Sequence, residues 1–244
     1  MHTKTTTYNG RLCNQIIRNV SVSLIAKKHN LFVEYCNHEL IENGLGIPLF
    51  VGCNKYDEMS KLNDDNFFDI LNQEAIHQNL DPMDNYFQTK EISCFLYEYL
   101  QTIQLSIINH NNFKERYNNN NDIFIHVRLG DTINLNPGID YYIEAINNIN
   151  KEDGTNIYIA SDTLSHPMIK ELCSRCQNVK LINFNPVETI QFGSTCKHVI
   201  LSHGSFSAFI GWISFFSDVY YPNYKRAGKI WFGDMFSIDK WYEI

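Results

Sequence analysis

The polar residues best placed to do chemistry in this chain fall in three short runs of its second half: Arg128, Gly130 and Asp131; Ser161 and Asp162; and His203, Gly204, Ser205, Phe206 and Ser207. Each run follows an apolar stretch of strand length. The third opens a helix through small and hydroxylated residues, which leaves backbone N–H groups and hydroxyls facing whatever lies there. Such a cradle suits a phosphate. A diphosphate also requires a permanently charged, forked partner, and Arg128 is the arginine that follows a neighbouring strand. Each run has a plainer reading taken alone: Arg128 can pair with Asp131 across the Gly130 turn, and Gly204 with Ser205 can be only a helix cap. Three strand ends carrying anion chemistry in one sheet are the pattern of a nucleotide site. The Gly-x-x-x-x-Gly-Lys-Ser/Thr loop and the Gly-x-Gly-x-x-Gly fingerprint are both absent, which argues against ordinary ATPases and dinucleotide oxidoreductases.

The elements that must position these residues are legible in the periodicity. Beyond residue 122, strands at 123–127, 157–160, 179–182, 198–202 and 219–221 alternate with helices at 141–149, 167–173, 186–194 and 206–216. Strands apolar on both faces and alternating with helices predict a parallel, doubly wound sheet, with ligands at the carboxyl ends of its strands. In the first half, Ile16, Ile17, Val20, Leu24 and Ile25 predict a helix over 11–29, and residues 31–35 a short strand. A long amphipathic helix is predicted over 91–113, and only irregular connections over 37–84. The asparagine run within 117–122 reads as a linker, dividing the chain into domains at 1–117 and 122–225 and a tail at 226–244. Trp231, Phe232, Phe236, Trp241 and Tyr242 make that tail an apolar strap packing back towards the first domain.

Composition narrows the partners. An apolar content of 44% supports sizeable cores, and a formal charge of -7 argues against a nucleic-acid coat. No apolar stretch approaches the roughly 20 residues needed to cross a bilayer. Seven dispersed cysteines read as reduced thiols, so a soluble, cytoplasmic protein is expected, bacterial or from a virus-infected host. Cys173, Cys176, Cys196 and His198 can be written as a zinc quartet, but core packing explains all four and no metal site is expected. Asn19-Val20-Ser21 spells a glycosylation acceptor inside a helical pattern and is discounted.

His126-Val127-Arg128-Leu129-Gly130-Asp131 resembles the His-x-Arg-Arg-x-Asp motif of the fucosyltransferase superfamily, most closely that of the alpha-1,2-fucosyltransferases. Gly10-Arg11-Leu12-Cys13-Asn14-Gln15 is similar to the family's Gly-Arg-Leu-Gly-Asn-Gln. Tyr141-Tyr142 with Ala145, then Ser161-Asp162, follow in the family's order. Ser202-His203-Gly204-Ser205-Phe206-Ser207, preceded by Cys196-Lys197-His198, is similar to its Ser-Asn-Ser-Ser-Phe-Ser. The resemblance spans residues 9–35 and 122–222. It implies an α/β fold of the GT-B type, with two Rossmann-like domains whose parallel sheets face across a cleft, the first domain reduced. It also implies an inverting glycosyltransferase that needs no metal or cofactor. Such an enzyme moves a sugar from a nucleotide donor, by default fucose from GDP-fucose in alpha-1,2 linkage, to a glycan or glycoprotein.

By the same resemblance, Arg128 binds the donor's β-phosphate and offsets charge on the leaving diphosphate. Ser205, Phe206 and Ser207 complete the cradle, with Gly10, Arg11 and His126 in the donor site. Asn14 reaches the donor or its sugar, and Asp162 lies near the nucleotide. Leu129 stands where the family has a second arginine, Cys13 replaces a glycine, and His203-Gly204 replaces Asn-Ser. The lost arginine keeps two alternatives open: a transferase using another nucleotide sugar, and a non-catalytic nucleotide- or carbohydrate-binding protein on the same fold. For the general base the candidates are Asp131, Glu34 and His38, although a strongly dissociative transition state needs little base assistance.

Overall fold

The computed structural model describes residues 1–7, 10–83, 85–152, 154–224 and 233–244. The chain forms two compact units, one of Met1–His110 with Gly233–Met235, the other of Asn111–Phe232 with Phe236–Ile244.

The first unit contains β1 (Thr3–Lys4), α1 (Leu12–His29), β2 (Val33–Glu34), α2 (His38–Leu45), β3 (Met59–Lys61), α3 (Phe67–Asn72), β4 (Asn79–Asp81), α4 (Lys90–Thr102) and α5 (Gln104–His110). Its described strands form two parallel pairs, β1 with β2 and β3 with β4. The buried Thr3 hydroxyl accepts the Leu80 N–H at 2.8 Å and so ties β1 to β4. α1 buries Ile16, Ile17, Val20 and Ile25 as its periodicity requires, and also Arg18, whose guanidinium donates to the carbonyls of Thr6 (3.1 Å) and Asn85 (3.2 Å). Asn19 is fully buried and donates to the Cys36 carbonyl at 2.6 Å, which removes the glycosylation reading from the surface.

Two expectations for this unit change. The described residues of 37–84 hold four short elements, two helices and two three-residue strands, and the strands are held by side-chain amides rather than by alternating hydrophobics. Asn79 Nδ2, for example, donates to the carbonyls of Tyr56 (2.6 Å) and Glu58 (3.2 Å). The long helix breaks at Ile103, where the Thr102 hydroxyl takes the Tyr99 carbonyl at 2.7 Å in competition with the backbone.

The second unit contains β5 (Ile123–Val127), α6 (Ile139–Asn148), β6 (Ile157–Ser161), α7 (Pro167–Arg175), β7 (Val179–Ile182), α8 (Pro186–Gly193), β8 (His198–Ile200), α9 (Ser205–Trp212), β9 (Asp218–Tyr221) and β10 (Tyr242–Glu243). The strands form one parallel, Rossmann-like sheet in the order β10-β9-β8-β5-β6-β7. From β5 the chain winds outward through β6 and β7, then crosses back to β8 on the other side of β5, so the winding reverses between β5 and β8. Strand alternation sends Ile123, Ile125, Val127 and Leu129 into one core with Tyr142, Ala145, Ile146, Ile169 and Leu172. On the opposite face the Phe124 ring lies against Gly193, where an added Cβ would sit 2.7 Å from the ring. α8 starts on a reciprocal capping box between Asn185 and Glu188, with Pro186 in its first turn.

The asparagine run is bonded to the body of this unit: Asn120 Nδ2 donates to the carbonyls of Arg116 (2.6 Å) and Thr195 (3.0 Å). The tail contributes an edge strand that sequence reading misses, with Tyr242 opposite Tyr220 and Glu243 opposite Tyr221. Phe236 stacks on Tyr221, and Trp241 packs on the face of α9 that Gly211 leaves open. Trp231 and Phe232 lie outside the described residues. Among the described residues no helix is long and apolar enough to cross a membrane.

Candidate active site

Because the winding reverses between β5 and β8, the loops after these two strands are neighbours, and crevices of this kind bind ligands in open α/β sheets. Arg128 sits just past β5 and its backbone N–H donates to Ser202 Oγ at 3.2 Å, beyond β8. Its side chain is 15% exposed. Nε donates to Thr132 Oγ1 at 2.8 Å and Nη2 to Asp131 Oδ1 at 2.9 Å, so the pairing across the Gly130 turn is present. The other three guanidinium N–H groups have no acceptor among the described residues. Thr132 Oγ1 in turn lies 2.8 Å from His203 Nε2, at the other strand end.

The first turn of α9 carries Ser205, Phe206 and Ser207 behind Gly204, whose φ of +89° is a conformation that favours glycine. No side chain caps this end and its first turn holds no acid, so its N–H groups are free to meet an anion. Ser205 and Phe206 are partly exposed. Ser207 is fully buried: its Oγ accepts the Ser202 N–H at 3.0 Å and bonds His126 Nδ1 at 2.5 Å. Phe206 packs on the His126 ring, with centroids 5.0 Å apart. His126 and Ser207 therefore lock β5 onto α9 from beneath the crevice.

Asp162, just past β6, accepts the N–H groups of Leu129 (2.8 Å) and Gly130 (3.1 Å). It thus holds the turn that presents Arg128. A Cβ at 130 would stand 2.7 Å from Asp162 Oδ2, so any larger residue must shift the carboxylate or the turn. Leu129, where the family motif has a second arginine, is 1% exposed and packs in the core beneath the sheet's helices.

The electrostatics suit an anion. Burial, then the adjacent Arg128 charge, push His126 down to about 3 and His203 to about 4, so both rings are neutral near pH 7. Burial acts to raise the Asp162 carboxyl, but the N–H groups of Leu129 and Gly130 and the Arg128 charge hold it below its ordinary value.

In the first unit, the loop before α1 is built on Gly10 at φ +117°, where a Cβ would fall 2.5 Å from the Asn14 side chain. Gln15 Nε2 donates to the Gly10 carbonyl at 2.8 Å and steadies that loop. Gln88 Nε2 donates to Asn14 Oδ1 at 2.9 Å, so the group Asn14 presents is its NH₂. Arg11 is exposed at the N-cap. Among the candidate bases, Glu34 is held by His2 at 2.8 Å and His38 lies 3.2 Å from Glu42, whereas Asp131 adjoins Arg128.

The structure thus brings together Arg128, Asp131, His126, Asp162 and the residues 205–207 in one unit, and Gly10, Arg11 and Asn14 in one loop of the other. Sequence reading missed Thr132, Asn136 and Gln88, and it gave Ser202 and Tyr142 as motif matches without a role. Their signal was faint, because each acts through side-chain hydrogen bonds that leave no periodic pattern in the sequence. Cys173 and Cys176 pack against the core of the second unit, while Cys196 is buried beside Arg116 Nη2. No group of three or more His, Cys, Asp or Glu among the described residues could hold a metal ion.

The family described as glycosyl transferase family 11 matches residues 2–228 of the chain. No curated protein matches it.

Proposed function

The chain belongs to glycosyl transferase family 11, the alpha-1,2-fucosyltransferase family, and is a glycosyltransferase; from that premise we propose that it moves fucose from GDP-fucose to a hydroxyl of a glycan or glycoprotein, in alpha-1,2 linkage, with inversion and without a metal ion. In this reading the second unit is the nucleotide-binding domain of a GT-B enzyme and the first is its acceptor side. Seven free cysteines suit a reducing setting, and a cytoplasmic one is proposed.

One observation carries the reading. Arg128 and the first turn of α9 come from the two strand ends flanking the winding reversal; both bond Ser202, and Thr132 bridges Arg128 to His203. As the acceptor hydroxyl attacks the anomeric carbon, the bond to the β-phosphate oxygen breaks and its electron pair stays on the diphosphate. Arg128 and the N–H groups of Ser205 and Phe206 meet that developing charge. His126, Ser207 and Asp162 act as positioning residues. Asp131, adjoining Arg128, receives the acceptor proton.

A donor panel tests this. GDP and GDP-fucose raise the melting temperature, by the equivalent of about 2.7 kcal/mol at a hundredfold excess over Kd, and GDP-fucose is slowly hydrolysed. A shift with UDP or CDP instead reassigns the donor. Binding without hydrolysis or transfer marks a non-catalytic protein, and no shift with any nucleotide refutes the site.

A further inference from the structure

Hydrogen accounting around Ser202 determines which atom of His203 carries the proton. Ser202 Oγ accepts the Arg128 N–H at 3.2 Å. It also accepts the Tyr142 hydroxyl at 2.9 Å, a hydroxyl that in turn accepts from Asn136 Nδ2 at 3.0 Å. Two donors fill the two lone pairs of a serine oxygen. The serine hydrogen then goes to its remaining partner, His203 Nδ1 at 3.3 Å. A neutral His203 that accepts at Nδ1 carries its hydrogen on Nε2, which faces Thr132 Oγ1 at 2.8 Å.

Thr132 Oγ1 receives a second hydrogen from Arg128 Nε at 2.8 Å. Its lone pairs are filled, and its own hydrogen has no acceptor among the described residues. The side chain is partly exposed, at the same strand end as the Arg128 guanidinium. We infer that the Thr132 hydroxyl is an additional ligand-binding group, a forced hydrogen-bond donor to an anionic diphosphate oxygen, with His203 as the positioning residue that holds its polarity. The inference rests on the diphosphate reading of this strand end. An ionised phosphate only accepts hydrogen bonds, and a hydroxyl barred from accepting is its complement. The histidine that departs from the family motif thus has a use: a neutral imidazole accepts on one side and donates on the other.

Two measurements on the full chain test it. Nitrogen-15 NMR of the histidine rings reads the His203 tautomer without any variant: Nε2–H is expected, and Nδ1–H overturns the inference. Calorimetric titration with GDP then compares wild type, Thr132→Ser, Thr132→Val and Arg128→Ala. Thr132→Val should weaken GDP and inorganic pyrophosphate alike, about tenfold or more, as for one hydrogen bond to a charged group, with Thr132→Ser restoring most of the affinity. Guanosine binding, which has no phosphate, should not change in either variant, whereas a general loss of structure would lower it too. Wild-type GDP affinity in Thr132→Val overturns this inference and leaves the diphosphate site standing if Arg128→Ala still loses binding. Absence of binding by the wild type to GDP and to pyrophosphate overturns both.

Discussion

His126 Nδ1 and Ser207 Oγ lie 2.5 Å apart although 81 positions separate them in the chain. Ser207 Oγ also accepts the Ser202 N–H at 3.0 Å, so one buried hydroxyl joins β5, the end of β8 and α9. Ser207→Ala leaves that N–H and the imidazole without their partner. A loss of stability of about 1–3 kcal/mol is expected by urea unfolding. Unchanged stability with lost GDP affinity would instead make Ser207 a direct ligand contact.

Arg128→Ala removes the fixed cation from the proposed diphosphate site. GDP affinity measured by calorimetry should fall about ten- to a hundredfold, and Arg128→Lys should restore only part of it, because an ammonium lacks the planar fork. Wild-type affinity in the alanine variant would show that the diphosphate lies elsewhere.

Gly130→Ala places a Cβ 2.7 Å from Asp162 Oδ2 and must displace either the carboxylate or the turn. Asp162→Ala removes the acceptor of the Leu129 and Gly130 N–H groups. Both variants should weaken GDP binding by displacing Arg128, with the guanidinium itself intact. Crystal structures of the two with an unmoved 128–131 turn would contradict this.

Acid should destabilise the fold well above the carboxylate range. His126 and His203 titrate near 3 and 4 when folded against about 6.5 when unfolded, so the unfolded chain binds more protons between those values. Their stabilising contribution is complete above pH 6.5 and is lost as pH falls, by roughly 2 kcal/mol for each ring between pH 7 and pH 5. Asp122 and Asp162, held low when folded, begin to act only below about 3.8 and do not enter that window. Urea midpoints at pH 7 and pH 5 check this, and His203→Asn should show a shallower pH dependence.

Transfer activity should survive EDTA, because the proposed charge stabilisation comes from Arg128 and the N–H groups of α9. Turnover that stops on chelation and returns with magnesium or manganese would count against the proposed chemistry.

The second half was far more legible in the sequence than the first. Strands such as 123–127 are apolar on both faces, which only a central strand of a covered sheet tolerates, and their ends carried the candidate residues. Residues 37–84 were opaque, since Asn79 and its like hold short strands through side-chain amides that leave no periodic pattern. The edge strand at Tyr242–Glu243 was hidden because two aromatic-flanked residues have no alternation to read.

The sequence by itself determined the alternation of strand and helix, hence a parallel sheet, and which polar residues follow each strand. Tertiary structure alone decided that β8 returns beside β5 rather than beyond β7, because strand order depends on long-range pairing that no local pattern encodes. That placement sets Arg128 against Ser202, and Thr132 against His203. It also decided which hydroxyls are buried and which way each hydrogen points, since those follow from counting donors and acceptors around atoms more than seventy residues apart.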